Sequence, residues 1–348
     1  GPRDRAGLPE SIRFWKSFAE AVESDPATGV GLLYGPSGCG KSSLVKAGFL
    51  PHLCEQVLPV YLEATANETE SRLLAVLRQR CPELPGHLNL QDTLAALRRG
   101  QGLPEGRKVL IVLDQFEQWL HARPADERPE LALALRQCDG GRVQAIVMVR
   151  DDFWMAATRF FRDLEIPLVE GRNSAAVDRF ERSHARKVLA AYGRAMGRLP
   201  ENLTSLSASQ KAFLDQAVAG LSEDGKVICV RLALFAEMMK SREWTPAALK
   251  AVGGITGIGV TFLEDTFSAP TAPPLHRYHQ RAARAVLKAL LPESGTDIKG
   301  NLRSDEELLA ALGCQDRPKD FAELIGILDG ELRLITPTDP ESAESSGD

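Results

Sequence analysis

An α/β fold of three layers around a parallel sheet is predicted by three observations. A glycine-rich loop is fed by an apolar strand, a second apolar strand ends in an acid, and such strands alternate with helices up to about residue 170. The loop reads Gly35-Pro36-Ser37-Gly38-Cys39-Gly40-Lys41-Ser42-Ser43 and fits the phosphate-loop template G-x-x-x-x-G-K-[ST]. Glycine lets successive N–H groups turn inward and form an anion-binding concavity, and the helix that follows adds its positive end there.

Taken in order, residues 11–22 place Ile12, Trp15, Phe18, Ala19 and Val22 at helical spacing, an amphipathic helix whose aromatics belong to the core. Residues 25–29 turn into a strand over 30–34 that delivers the loop. A helix over 41–50 stops at Pro51, and 57–62 reads as the second strand. Helices over 68–80 and 91–99 flank a proline-rich turn. Residues 108–113 are the continuous apolar run of a strand buried on both faces. Helical sequence over 129–138 leads to a fourth strand at 143–149, a helix at 152–162 and a fifth strand at 166–169. Beyond about residue 171 the pattern turns helical: 185–196, 209–220, 228–240, 244–252, 276–291, 306–312 and 321–328, then a short strand at 331–335. Helices closing on a β element resemble a winged helix. The expected division is an N-terminal helix or linker at 1–24, an α/β domain at 25–172, a helical domain at 173–270, a winged-helix-like domain at 271–337 and a disordered acidic tail at 338–348.

Ligands of such sheets lie at the carboxyl ends of the strands, where Gly35, Asp114 and Arg150 all fall. Gly35 to Ser43 would cradle phosphates, with Lys41 as a mobile charge for the β and γ groups of a nucleotide and Ser42 as a hydroxyl ligand to Mg²⁺. Asp114 ends Val109-Leu110-Ile111-Val112-Leu113 and lies 73 residues (114 − 41) after the loop lysine. It would hold Mg²⁺ directly or through water, and Glu117 would orient or deprotonate the attacking water. The plain alternatives are a helix N-cap for Asp114 and a first-turn acid answering the helix dipole for Glu117. Arg150 closes Ala145-Ile146-Val147-Met148-Val149. With its strand between the loop strand and the Asp114 strand it would face the γ-phosphate and tell triphosphate from diphosphate; the alternative is an ion pair with Asp151 or Asp152. Arg159 and Arg162 are candidates for contacts from a neighbouring subunit.

Bulk properties narrow the setting. With 348 residues, 44% hydrophobic and 26% charged, core is not limiting, and a net charge of −5 with interleaved signs gives no general pull toward nucleic acid or anionic membrane. Cys39, Cys54, Cys81, Cys138, Cys229 and Cys314 are scattered without a Cys-x-x-Cys pair, which reads as a reducing, cytoplasmic setting. No apolar run spans a membrane. The opening Gly1-Pro2 without Met reads as a fragment of a longer chain.

On Gly-Pro-Ser-Gly-Cys-Gly-Lys-Ser-Ser, Leu-Asp-Gln-Phe-Glu and Val-Arg-Asp-Asp-Phe, the chain resembles the STAND family, signal-transduction ATPases with numerous domains, in a bacterial branch. The resemblance implies ATP and ADP as ligands, strand order 5-1-4-3-2, and a switch between a closed ADP form and an ATP form that assembles into a homo-oligomer, with sensor and effector domains or partners outside this stretch. It puts Asp114 on the Mg²⁺ aspartate, Glu117 on the acid three positions later and Arg150 on the sensor arginine. Relatives often start a second-domain helix with a nucleotide-facing proline, where this chain reads Val227-Ile228-Cys229-Val230-Arg231. It also ends at Leu334-Ile335-Thr336-Pro337 without the Thr-x-His-Asp type of stretch that latches the off state in relatives.

The expected function is a slow Mg²⁺-dependent ATPase acting as a signalling switch. The runner-up is a winged-helix DNA-loading ATPase, for which Arg281, Arg284 and Lys288 lie at helical spacing. A transport ATPase would need Leu-Ser-Gly-Gly-Gln, a GTPase Asn-Lys-x-Asp, and a small-molecule kinase a lid with an acceptor site; neither signature occurs.

Overall fold

The computed structural model describes residues 8–21, 25–122, 130–291, 303–312, 318–332 and 334–335. Val22, Cys314, the start of the helix expected from 129 and the tail at 338–348 lie outside them. The chain forms two units, Gly1–Phe180 with Ile228–Val230, and Glu181–Val227 with Arg231–Asp348.

In the first unit α1 (Glu10–Glu20) precedes β1 (Val30–Gly35), and a helical run begins at Lys41 as α2 (Lys41–Ser43). That run widens to π geometry over Leu44–Phe49 and tightens to a 3-10 turn at Leu50–His52, because Pro51 brings no N–H to continue it. Then follow β2 (Val57–Glu63), α3 (Thr69–Arg80), α4 (Leu90–Arg98), β3 (Lys108–Asp114), α5 (Glu117–His121), α6 (Glu130–Leu135), β4 (Val143–Arg150), a 3-10 turn Asp151–Phe153 and α7 (Trp154–Asp163). The last strand is β5 (Ser174–Ala176).

The strands pair in parallel in the order β2-β3-β4-β1-β5, the expected 5-1-4-3-2 read from the other edge. Side chains alternate across the sheet and make the three layers. Val109, Ile111 and Leu113 of β3 join a core with Leu73, Leu94, Leu131 and Phe160, whereas Leu110 and Val112 join Trp15, Phe18, Val45 and Phe49 on the other face. Every residue of β3 is buried, Lys108 included. Its ammonium donates to the carbonyls of Ala21 and Gly140, each at 2.8 Å, and to Gln144 Oε1 at 3.0 Å.

The fifth strand is a correction. Residues 166–169 form no strand; Ile166 is buried in the core beside Phe160 and Phe161, and the loop is held by Asn173, whose Oδ1 accepts Val169 N–H at 2.8 Å and whose amide donates to Pro167 O at 2.9 Å. Ser174, Ala175 and Ala176 pair instead with Leu32, Leu33 and Tyr34. Within this run Ile166 is buried and Leu168 partly buried against the same core, whereas Pro167 and Val169 are exposed, so the apolar character serves packing at two positions and no strand.

The second unit is mainly helical. It holds α8 (Arg182–Ala195), α9 (Ala208–Leu221), a hairpin of β6 (Ser222–Glu223) and β7 (Lys226–Val227), most of α10 (Cys229–Met238), α11 (Pro246–Ala251), α12 (Gly254–Phe267), α13 (Pro274–Leu290), α14 (Asp305–Leu312) and α15 (Pro318–Ile325). Ser207 and Gln210 make a reciprocal capping box on α9. Asp224 and Gly225, both at positive φ, turn the hairpin. The strand expected at 331–335 is the second correction. Glu331 belongs to a π turn over Gly326–Glu331, and Leu334 N–H bonds to Leu328 O at 2.8 Å. Leu332, Leu334 and Ile335 lie against Leu308, Phe321 and Leu324, so their spacing serves a helical core and no partner strand is available to them among the described residues. The winged-helix expectation therefore lacks its β element there.

Candidate nucleotide site

β1 runs straight into the loop, and Gly35 is required by space: a Cβ there would stand 1.9 Å from the carbonyl oxygen of Val177. Gly38 has φ +71°, and its missing Cβ leaves room for Ile228 Cγ2, which a Cβ would meet at 3.0 Å. Lys41 extends back across the loop, donating to Gly35 O at 2.7 Å and Pro36 O at 3.2 Å. Its charge is thereby held at the mouth of the concavity that residues 35–43 form. Cys39 is buried, and burial pushes its thiol up, so it packs as a small apolar group.

Asp114 ends β3 and is 2% exposed. Its Oδ1 accepts the N–H of Gln115 at 2.8 Å, and its Oδ2 accepts the hydroxyl of Tyr61 from β2. The carboxylate expected to bind Mg²⁺ is thus already engaged by Tyr61, a residue sequence reasoning missed. Its only signal was a hydroxyl near the end of the strand that lies beside β3. Burial and the bond to Asp114 hold the Tyr61 phenol well above its ordinary range. Lys46 bridges to Glu63 at 3.0 Å and lies 4.5 Å over the Tyr61 ring.

The turn after Asp114 places Glu117. Gln115 takes φ +52°, and Phe116 N–H bonds to Met148 O of β4 at 2.9 Å. Phe116 is fully buried, stacked on Trp119 at 5.0 Å and against Phe160 at 5.0 Å, a burial that contributes about 1.5 to 3 kcal/mol. That anchor offsets a left-handed residue that costs about 1 to 3 kcal/mol. Glu117 then starts α5 with Oε2 buried and lacking any hydrogen-bond partner among the described residues. Burial pushes its carboxyl up, opposed by its own N–H, the charge of Lys41 and the N–H and charge of Arg150. A buried carboxylate oxygen without a partner, near a loop lysine, has the features of a water-orienting base.

Arg150 ends β4 as the register partner of Gly35. Its guanidinium does not enter the loop: Nε donates to Asp152 Oδ1 at 3.1 Å and Nη2 to Asp152 Oδ2. Of the alternatives open in the sequence, the ion pair with Asp152 is the one present. The structure therefore gathers Lys41, Ser42, Asp114 and Glu117 at the loop and brings only the backbone and the long-range charge of Arg150 to them.

Where relatives carry a proline, Cys229 Sγ donates to Cys39 O at 2.9 Å and Ile228 lies on Gly38. This segment closes over the loop backbone, and burial raises the Cys229 thiol to about 11. Among the described residues no group of three or more His, Cys, Asp or Glu forms a metal cage. Ser42 and Asp114 offer hard oxygen donors on one side of the loop, which fits Mg²⁺, an ion usually held by one or two protein oxygens together with phosphate. No described helix is long and apolar enough to cross a membrane.

The chain is similar in fold to the Walker-type ATPase PABY2304 of Pyrococcus abyssi, at 17% identity and TM-score 0.47, with 91% of each chain covered. It is similar to the ADP form of the ORC2 protein of Aeropyrum pernix, at 14% identity and TM-score 0.47, covering 94% of this chain and 88% of that one. Cdc6p from Pyrobaculum aerophilum is similar at 10% identity and TM-score 0.43, covering 94% and 89%. No curated protein matches the sequence. The model of the family Novel STAND NTPase 1 matches residues 13–341, nearly the whole chain with the loop, Asp114 and Glu117 inside it, and the chain belongs to that family of STAND NTPases.

Proposed function

We propose that this chain is an ATP-operated switch that binds Mg·ATP, hydrolyses it slowly and self-assembles in the ATP state, within a cytoplasmic signalling protein whose sensor and effector parts lie outside this stretch. The observation that carries the reading is Glu117: a half-buried carboxylate whose Oε2 is buried and unpartnered among the described residues, three residues after Asp114 and under the charge of Lys41. Backbone N–H groups of residues 35–43 bind the phosphates, and Lys41 leaves the carbonyls of Gly35 and Pro36 for phosphate oxygens. Ser42 and Asp114 would hold Mg²⁺, which when bound neutralises charge on the β and γ groups. Glu117 orients the attacking water and takes its proton. Arg150 exchanges Asp152 for the γ-phosphate, a trade available with ATP and not with ADP, so the arginine biases the switch by differential affinity. We read α8–α12 as the helical domain of the switch and α13–α15 as a further helical domain.

The test is the nucleotide retained by the purified protein and its affinity by calorimetry. Retained ADP and micromolar or tighter binding support a switch, and a chain that binds neither ADP nor ATP defeats it. A DNA-loading role is the second reading, favoured by Arg281, Arg284 and Lys288, all exposed on α13. Sub-micromolar DNA binding that falls steeply with salt would favour it.

A further inference from the structure

We propose that Tyr61 competes with the divalent cation for Asp114 and so sets the Mg²⁺ concentration at which this chain holds a triphosphate. The inference rests on the nucleotide reading above. Asp114 has one oxygen engaged by the backbone: Oδ1 accepts Gln115 N–H at 2.8 Å. The other, Oδ2, carries the Tyr61 hydroxyl. At 2% exposure the carboxylate is cut off from bulk water, so a cation or its bound water reaches Oδ2 only by displacing the phenol or crowding it.

The phenol is also built in. Tyr61 is paired across the sheet with Val112, two positions before the Glu63–Asp114 pair, and its ring is covered by Lys46 at 4.5 Å, which Glu63 holds at 3.0 Å. Moving the hydroxyl away disturbs that stack as well as a charge-assisted bond. Mg²⁺ requires near-ideal octahedral oxygen geometry and sheds water reluctantly, so a competing donor at one ligand oxygen raises the concentration it needs. Replacing the hydroxyl by hydrogen keeps the ring and its packing but removes the competitor.

A fluorescent non-hydrolysable ATP analogue, bound at fixed concentration and titrated with Mg²⁺, reads this directly. Tyr61→Phe is expected to lower the Mg²⁺ midpoint by about tenfold, the weight of one hydrogen bond to a charged group, while binding without Mg²⁺ stays as in the wild type. Tyr61→Leu, which also lacks the hydroxyl, should shift the midpoint in the same direction and serves if the first variant melts early. An unshifted or raised midpoint in a folded variant overturns the inference and leaves the nucleotide reading intact. A wild-type chain that binds the analogue at no Mg²⁺ concentration overturns both.

Discussion

Gly35 and Arg150 are register partners across β1 and β4, so the last residue of the loop strand and the arginine that closes its neighbour leave the sheet side by side. The backbone of Arg150 is thus fixed at the phosphate loop while its guanidinium is turned to Asp152. That separation of backbone from side chain makes Arg150 a movable contact.

Arg150→Ala is expected to narrow the affinity gap between a non-hydrolysable ATP analogue and ADP by about 1.5 to 3 kcal/mol, one charge-assisted bond. The ion pair it gives up is partly exposed, with side chains 38% and 49% accessible, and contributes little stability. Asp152→Ala should widen the same gap by freeing the guanidinium. Calorimetry with both nucleotides decides it; an unchanged ratio in both variants leaves Arg150 a surface ion pair.

Lys41→Ala should weaken ATP binding by at least about 1.5 to 3 kcal/mol without unfolding the chain, because the ammonium bonds only within the loop, to the carbonyls of Gly35 and Pro36 and more weakly to Cys39 Sγ. Calorimetry alongside a thermal melt tests this. Unaltered affinity in a folded variant would remove the phosphate-binding assignment.

Glu117→Gln should retain Mg·ATP and turn over about 10² to 10⁴ times more slowly. Burial raises the Glu117 carboxyl above its ordinary value of 4.5, and a base works only when deprotonated. Wild-type turnover should accordingly fall as pH drops through that raised value, with the acid limb above 4.5, and Glu117→Gln should lose this limb. Single-turnover rates across pH measure both effects; equal rates for parent and variant would return Glu117 to a helix-start acid.

Lys108→Met should destabilise the first unit by about 1 to 3 kcal/mol, because it strips a donor from Ala21 O, Gly140 O and Gln144 Oε1 inside the protein. Denaturant melts of the two proteins compare directly. A loss under about 0.5 kcal/mol would mean that water replaces the ammonium at these acceptors.

By itself the sequence determined the loop, the β3 strand with Asp114, the β4 strand with Arg150 and the parallel α/β order, because each is written in neighbouring residues: glycines where a Cβ has no room, and apolar runs long enough to be buried on both faces. Only the tertiary structure chose Ser174–Ala176 over 166–169 as the fifth strand, since three small residues carry no periodicity and Ile166 is apolar for a different reason. It alone turned Leu332 and Leu334 into a helical core, where alternation had implied a strand. The same holds for the site. Tyr61 meets Asp114 from 53 residues away and Cys229 meets Cys39 from 190 away, distances over which no local pattern speaks. Arg150 had an ion-pair partner two residues on and an expected phosphate in the loop, and local sequence could not rank them. Such choices depend on which groups the packed sheet leaves within hydrogen-bond reach, and that is set by register and burial, not by the order of residues along the chain.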